Sequence, residues 1–207
     1  MKPVYGVNTG FGKLASTRIQ DTELSILQHN LIMSHCTGVG ELFDNHLVKL
    51  ITVIKVASLG RGYSGVRFEI LEALLKLIND EFYPCIPMRG SVGASGDLAP
   101  LAHLVSPLIG VGYVRREGKI ISATEALKEC GIEKFELQPL EGLSLLNGTQ
   151  VSTALALKGL FKIQDVFEAG LVAGAMSVEA LNENLEPFDS RIHELRGHKG
   201  QMVVAEK

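Results

Sequence analysis

One short segment of the chain combines residue types that can build an electrophile from the main chain itself. Residues 90–97, here called the triplet loop, read GSVGASGD and contain Ala94, Ser95 and Gly96 in succession. Attack of the Gly96 nitrogen on the Ala94 carbonyl carbon would close a five-membered ring, and loss of water from the ring and from Ser95 would leave an exocyclic methylidene. Glycine suits the strained position because it lacks a Cβ. Alanine is small enough to allow the approach, serine supplies the leaving hydroxyl, and Asp97 could assist the proton transfers.

Plainer interpretations of the triplet loop stay open at this point. It also reads as a glycine-rich turn that leads into a helix at Asp97, whose amino terminus could bind a phosphate. The Lys-Ser/Thr ending of a P-loop is missing, which weakens the phosphate interpretation. A serine hydrolase elbow needs Gly-x-Ser-x-Gly, and the spacing from Gly93 to Gly96 is one residue short. A nucleophilic Ser95 would need a histidine and an acid to converge on it.

Three polar residues elsewhere are candidates for site roles, and each has a structural alternative. Tyr5 lies in a glycine-rich loop, either as a catalytic group or packed at the loop edge. His35 lies at the end of a predicted helix, where on spacing alone a histidine is more often structural. Asn147 is a polar residue in an otherwise apolar helix start and could serve as a cap.

The sequence predicts neither a metal site nor a nucleotide site. His103, His193 and His198 have no partners at the spacing of metal ligands. Residues 38–40 lack the third glycine and the preceding strand of a dinucleotide fingerprint. The formal net charge is −3 and the basic residues do not cluster, which argues against nucleic-acid binding.

Cysteine usage and hydropathy bear on the compartment and on partners. The three cysteines are widely spaced and fit reduced thiols in a cytoplasmic protein better than a disulfide framework. Residues 98–114 are uncharged, but two prolines, two glycines and a histidine interrupt them, so we expect a buried segment and no membrane span. The mean hydropathy of +0.20 suggests apolar surface hidden against other chains, as in a homo-oligomer.

Hydrophobic periodicity predicts a mainly α fold with a small β-hairpin. The predicted elements are helices from Thr22 to about Gly38, from Asp44, from Val66 to Asp80, after the Ser122–Glu125 capping box, and from Glu141 to about Asn184, with a hairpin over 113–121. Prolines and glycines mark residues 83–100 as irregular. We expect two domains, residues 1–140 around the triplet loop and residues 141–207 as the beginning of a long-helix bundle.

Five segments, taken in order, resemble the aromatic amino-acid ammonia-lyase family, which includes the histidine and phenylalanine enzymes. They are YGVNTGFG (5–12), SHCTGVG (34–40), GSVGASGDLAPL (90–101), EGLSLLNGTQ (141–150) and the tail from PFD (187–189) to RGH (196–198). The resemblance covers essentially the whole chain. The Ser-His pair at 34–35 is the form typical of histidine-specific members.

The resemblance implies a role for each candidate residue. Ala94, Ser95 and Gly96 become the prosthetic group 4-methylidene-imidazol-5-one (MIO). Tyr5 becomes the general base that removes the substrate β-proton, for which the site must favour the phenolate, because an unperturbed tyrosine pKa is near 10. His35 matches the ring-selectivity position, and Asn147 matches the asparagine that contacts the prosthetic group and the substrate.

The expected reaction is elimination of ammonia from L-histidine to trans-urocanate by a cytoplasmic homotetramer. Tyrosine or phenylalanine as substrate, or a non-catalytic scaffold derived from a lyase, are the alternatives. Family members are more than twice this length, so the carboxylate-binding arginine and other groups fall outside these residues. We therefore expect this chain to be inactive unless it is paired with a C-terminal complement.

Overall fold

Helix-forming segments dominate the fold, as the apolar periodicity predicts. The structure is a computed structural model that describes residues 2–207. The helices are α1 (Leu24–His35), α2 (Asn45–Leu59), α3 (Phe68–Asn79), α4 (Leu98–Val105), α5 (Ala123–Cys130), α6 (Glu141–Leu146), α7 (Gln150–Ala180), α8 (Ser190–Arg196) and α9 (Lys199–Glu206). The strands are β1 (Val39–Leu42), β2 (Tyr83–Pro84), β3 (Pro87–Arg89), β4 (Tyr113–Arg116) and β5 (Lys119–Ser122).

Local capping explains where several helices begin. The Asp44 carboxylate accepts a hydrogen bond from the Leu47 amide at 2.8 Å, so it is the N-cap of α2. Ser122 accepts one from the Glu125 amide at 3.2 Å, which confirms the predicted start of α5. The first helix begins slightly later than predicted, because residues 21–23 form a 3-10 turn.

Two small antiparallel sheets are formed by strands that lie before and after the triplet loop in the chain. The predicted hairpin is confirmed as β4 and β5, with Arg116 opposite Lys119 and positive φ angles at Glu117 and Gly118, as a tight hairpin turn requires. β2 adds to the outer side of β4. β1 pairs with β3, which ends at Arg89, just before the triplet loop. These short strands lie where the sequence indicated only irregular structure or a helix end.

The prediction of one continuous helix from Glu141 to about Asn184 is wrong, because two helices form instead. Residues 147–149, here called the helix break, separate α6 from α7, and α7 ends at Ala180. Asn147 is extended (ψ 147°), and Gly148 has φ +128°, a conformation that favours glycine. The break brings the Gly148 carbonyl to the Asp97 amide at 2.8 Å, so a tertiary contact replaces a helical one.

Contacts divide the chain after Leu155, within α7. The first unit has a core of fully buried side chains from several helices, among them Ile51, Leu74 and Leu101. The second unit contains the rest of α7 with α8 and α9, and many of its large apolar side chains are exposed. Among the residues that the structure describes, no helix combines the length and apolarity needed to span a bilayer. The expected boundary between residues 140 and 141 stays a prediction.

Candidate active site

The triplet loop leaves the first sheet at a close contact between two main-chain segments. A Cβ on Gly90 would lie 3.1 Å from the Gly38 Cα and 3.2 Å from the Ala99 side chain. Gly38 in turn donates its amide hydrogen to Nε2 of His103 at 3.1 Å. Burial lowers the pKa of His103, which favours the neutral ring that this hydrogen bond needs. The loop therefore begins at a fixed point.

The other end of the loop is held at Gly96, and only glycine fits there. Gly96 has φ +110°, and a Cβ on it would lie 2.5 Å from the Gly148 carbonyl oxygen. Space and conformation thus exclude a side chain independently. Between the two ends, Ala94 and Ser95 are exposed. The result is a bent, accessible dipeptide carried on an anchored glycine.

Asp97 fastens this end of the loop through a buried carboxylate. Its side chain accepts hydrogen bonds from the Ser91 hydroxyl, the Ser152 hydroxyl and the Ser152 amide, each at 2.7 Å. Asp97 is 1% exposed. Although it precedes α4, it makes no side-chain cap on that helix. It binds the first turn of α7 instead, where the positive end of the helix dipole favours a carboxylate.

Asn147 lies in the helix break, next to the glycine that meets Gly96. Its side-chain amide donates to the Leu143 carbonyl at 3.3 Å. Its own carbonyl accepts from Nζ of Lys55 at 2.6 Å, and the Ser144 carbonyl accepts from the same nitrogen at 2.9 Å. Lys55 is 1% exposed, and burial lowers its pKa to about 7.

An ion pair between Arg67 and Glu141 holds the beginning of α6. The Glu141 carboxylate, 1% exposed, accepts from Nε and Nη2 of Arg67, both at 2.8 Å, and from the main-chain amides of Arg67 and Gln138. Burial acts to raise the pKa of Glu141, but these hydrogen bonds outweigh it, so the pKa lies below its usual value. α6 therefore has an ion pair at one end and the Lys55 amine at the other.

His35 closes α1 with its ring in a defined orientation. Nδ1 lies 2.8 Å from the Leu31 carbonyl, which can only accept, so Nδ1 carries the hydrogen. The Ser34 hydroxyl donates to the same carbonyl at 3.1 Å. In the neutral ring, Nε2 is left as a hydrogen-bond acceptor. Two residues later the chain reaches Thr37 and then Gly38, against the start of the triplet loop.

Tyr5 lies apart from these contacts. Its side chain is 53% exposed, and its ring meets Phe11 edge-on at 5.8 Å between centroids. The loop itself is tied to the fold by the Gly6 carbonyl, which accepts from Nε2 of Gln28 at 3.3 Å. The described hydrogen bonds and ring contacts do not link Tyr5 to the triplet.

Known proteins are similar to this chain in sequence and in fold. A sequence model of the family described as aromatic amino acid lyase matches residues 1–207. Histidine ammonia-lyase of Idiomarina loihiensis is 57% identical over 203 residues, covering 98% of this chain and 40% of that protein. The structure of histidine ammonia-lyase from Trypanosoma cruzi matches with a TM-score of 0.90 at 38% identity, covering 98% of this chain and 40% of that one. Phenylalanine aminomutase of Pantoea agglomerans matches with a TM-score of 0.91 at 33% identity, covering 98% and 39%.

The chain belongs to the aromatic amino acid lyase family. It spans about two fifths of the length of the relatives it matches. The expected mainly α fold with a small hairpin is confirmed, and so is the resemblance to this family. Of the residues predicted for the lyase site, the fold brings Ala94, Ser95, Gly96, Asp97 and Asn147 to one place through the bond between Asp97 and Gly148.

Sequence reasoning missed four residues that build this lyase segment. Ser91 and Ser152 hold the Asp97 carboxylate, and Gly148 accepts the Asp97 amide. Ser91 and Ser152 have no local sequence signal that pairs them with Asp97. Gly148 has a signal, because Asn147-Gly148 is a dipeptide typical of turns. Lys55 also has one, since Ile51 and Leu59 lie four residues away on either side and all three are buried on one face of α2.

The serine hydrolase alternative gains no support from the geometry of this lyase loop. The acid adjacent in the chain, Asp97, directs its carboxylate to Ser91 and Ser152. The nearest histidine in sequence, His103, accepts from the Gly38 amide. Neither group is available to activate Ser95 in this arrangement.

Proposed function

We propose that this chain carries the triplet-loop part of a histidine ammonia-lyase, which eliminates ammonia from L-histidine to give trans-urocanate. One observation carries the proposal: the exposed Ala94-Ser95 dipeptide is joined to a Gly96 that admits no side chain. The relatives named histidine ammonia-lyase, at 54–57% identity, support the choice of substrate.

The residues present fit the prosthetic group MIO. The Gly96 nitrogen forms a bond to the Ala94 carbonyl carbon, and the Ala94 oxygen leaves as one water with the amide hydrogens of Gly96 and Ser95, which leaves a C=N bond between the Ala94 carbon and the Ser95 nitrogen. The Ser95 hydroxyl and its α-hydrogen leave as the second, so the chain loses two waters. When formed, the group supplies an electrophile that activates the amino-acid substrate. Positive φ at Gly96 and its close approach to Gly148 favour the compressed backbone that ring closure needs.

The protein side chains have distinct roles in this proposal. His35 offers Nε2 as an acceptor, which orients a ring N–H of the substrate. Asn147, whose side-chain amide donates to the Leu143 carbonyl in this structure, contacts the prosthetic group and the substrate. Asp97 holds the loop and assists the proton transfers of ring closure. Tyr5 removes the β-proton, and its exposure suits a base that completes the site of a neighbouring subunit in a homotetramer.

Tyrosine is the second candidate substrate, because its phenol O–H can also donate to Nε2 of His35. A phenyl ring has no such donor, so we rank phenylalanine last. Structural relatives of the chain include a tyrosine aminomutase at 37% identity from Streptomyces globisporus. The ratio of the turnover rates on L-histidine and L-tyrosine therefore measures how strongly His35 discriminates between the two side chains.

The proposal also covers the cellular location of the enzyme and the chain segments that it needs for activity. Three unpaired cysteines support a cytoplasmic location. Because the chain spans about two fifths of its relatives, we propose that residues 1–207 alone are inactive and that the remaining groups come from a C-terminal complement. The non-catalytic scaffold alternative predicts no activity even with that complement.

A chimera tests the proposal directly. In it, residues 1–207 replace the matching segment of the Idiomarina loihiensis histidine ammonia-lyase, and Ser95→Ala serves as the control. We expect the chimera to lose two waters by intact mass and to release urocanate from L-histidine, faster than it converts L-tyrosine or L-phenylalanine. The Ser95→Ala chimera should keep its full mass and lose the activity.

Three results would contradict the proposal. One is a folded chimera that keeps its full mass, and another is one that acts on L-tyrosine better than on L-histidine. The third is urocanate formation by residues 1–207 alone, which would remove the need for a complement. The intact mass of that shorter polypeptide also tells whether ring closure needs packing from outside these residues.

A further inference from the structure

Lys55 is a buried amine with no role in the reaction described above. It lies in the middle of α2, is 1% exposed, and reaches across to two carbonyls far along the chain. These belong to Ser144 and Asn147, at 2.9 and 2.6 Å from Nζ. Burial of an amine without a carboxylate partner is unfavourable, so an apolar residue would stabilise this position better unless the contacts serve a purpose.

The surroundings of Lys55 contain little that could balance its charge. A cavity of about 390 Å³ adjoins it, with Ser58, Tyr63, Asn147 and Gln150 among its lining residues. Within the described chain no carboxylate lines this cavity, and Tyr63, the one other titratable side chain there, is 89% exposed. The lowered pKa of Lys55, about 7, has burial as its cause and agrees with this environment.

What the amine does contact is the carboxyl end of α6. The last carbonyls of a helix lack partners within it and carry partial negative charge, so the N–H donors of an amine stabilise them. α6 has only six residues and ends at Leu146, so its last turn has few other restraints. By binding carbonyls on both sides of that end, Lys55 fixes the direction in which the chain leaves the helix.

That direction matters because the next residue meets the triplet loop. Asn147 is followed by Gly148, whose carbonyl accepts the Asp97 amide at 2.8 Å and lies against Gly96. A shift of the Asn147 carbonyl would move the Asn147 side chain and the Gly148 support together. Lys55 thus binds the residue directly before the one whose carbonyl lies against Gly96.

We propose that Lys55 is a positioning residue, which holds the helix break against the triplet loop and so sets both ring closure and the placement of the Asn147 amide. The inference rests on the proposed lyase function, which it deepens. Lys55 touches neither the triplet nor, in this scheme, the substrate. It acts through the Asn147 and Gly148 main chain.

Lys55→Met in the chimera tests this, because methionine fills similar volume without a donor. We expect a folded protein in which the share of molecules lacking two waters falls severalfold, read by intact mass soon after synthesis. In the molecules that do cyclise, kcat should fall on the order of tenfold to a hundredfold, with a smaller change in KM. Lys49→Met, at an exposed position of the same helix, is the matched control and should leave both readouts unchanged.

A second variant separates positioning from packing. Lys55→Gln keeps an uncharged N–H donor and should recover part of the cyclisation and of kcat relative to Lys55→Met, whichever of the two variants has the higher unfolding midpoint. The inference would be overturned if both Lys55 variants cyclised fully and kept kcat within twofold of the Lys49→Met control. The lyase proposal would still stand in that case. If the unsubstituted chimera keeps its full mass, the lyase proposal itself fails. If Lys55→Met does not fold, Lys55→Gln alone decides by the same comparison.

Discussion

The triplet loop and the loop around Tyr5 are both glycine-rich and both proposed for one active site, yet they are held in different ways. The triplet loop ends at Asp97, whose buried carboxylate and amide bind residues more than fifty positions away. The Tyr5 loop is tied down mostly by near neighbours, such as the Val4 amide, which donates to the Asn8 side chain at 2.6 Å, and by one longer contact, from Gln28 to the Gly6 carbonyl. Tyr5 itself remains half-exposed.

The difference separates two requirements of the proposed chemistry. Ring closure is an intramolecular reaction, so the backbone must already be bent in the chain that undergoes it. Proton abstraction needs a phenolate within reach of the substrate, and another copy of the chain can supply it. We therefore expect substitutions near Gly96 to act on loop chemistry, and substitutions in the Tyr5 loop to act on turnover alone.

The largest effect is expected for Gly96→Ala in the chimera. The added Cβ would meet the Gly148 carbonyl at 2.5 Å and would occupy φ +110°, so cyclisation and activity should both be lost. Gly93→Ala is the control, because Gly93 has φ +68° but open space around a Cβ. It should cost about 1 kcal/mol of stability from conformation alone and still cyclise. Equal cyclisation of both variants by intact mass would refute a special requirement at Gly96.

Tyr5→Phe tests most clearly whether the two loops act independently. Loss of the phenol should lower kcat by roughly 10²- to 10⁴-fold, as for removal of a general base. The intact mass should still lack two waters, and the unfolding midpoint should not move, because the Tyr5 ring lies at the surface against Phe11. A cyclisation defect in Tyr5→Phe would show that the loops are coupled after all.

A smaller effect is expected for Asp97→Asn. The amide nitrogen would face a hydroxyl or amide donor of Ser91 or Ser152, so one buried hydrogen bond becomes a mismatch. The expected loss is about 1–3 kcal/mol in the free energy of unfolding, measured by urea denaturation, with slower cyclisation. Asp189→Asn, where a partly exposed carboxylate caps α8, should change stability less. Equal losses in the two variants would mean that burial of Asp97 is unimportant.

The last prediction concerns the pH dependence of stability at Lys55 and no change in activity at a fixed pH. Its pKa is about 7 in the folded chain against 10.5 ordinarily, so between these values the unfolded chain binds more protons at this site. Stability should therefore rise with pH across that window, by at most about 1.4 kcal/mol per pH unit from this group. Lys55→Met should remove that part of the slope, whereas Lys49→Met should retain it. Parallel stability curves for the two variants between pH 7 and 10 would contradict the assignment.

Much of the fold was predictable because its signals are local. The apolar periodicity of α2 and α3, the Asp44 cap and the Ser122 capping box each depend on residues within a few positions of one another. The strands β1 and β3 were not predictable in the same way. They are only four and three residues long, and their pairing across the chain provides the stabilisation that neither segment has alone.

The features of the candidate site also fall into two groups, those that local sequence indicates and those that depend on tertiary contacts. Residue types and order fixed the chemistry available at Ala94, Ser95 and Gly96, because ring closure involves only adjacent atoms of the main chain. The helix break at Gly148 was not predicted although Asn147-Gly148 is a dipeptide typical of turns, because helix-forming residues on both sides favour continuity. Tertiary pairing with Asp97 outweighs that preference.

By itself, the amino-acid sequence determined the helical class, the family and the triplet able to cyclise, because each depends on neighbouring residues or on ordered motifs. Only the tertiary structure decided which groups hold that triplet: Gly148 beneath Gly96, Ser152 on Asp97, and Lys55 behind Asn147. The physical reason is burial. A polar group removed from water must find a partner wherever the fold supplies one, and its position in the chain does not reveal which partner that is.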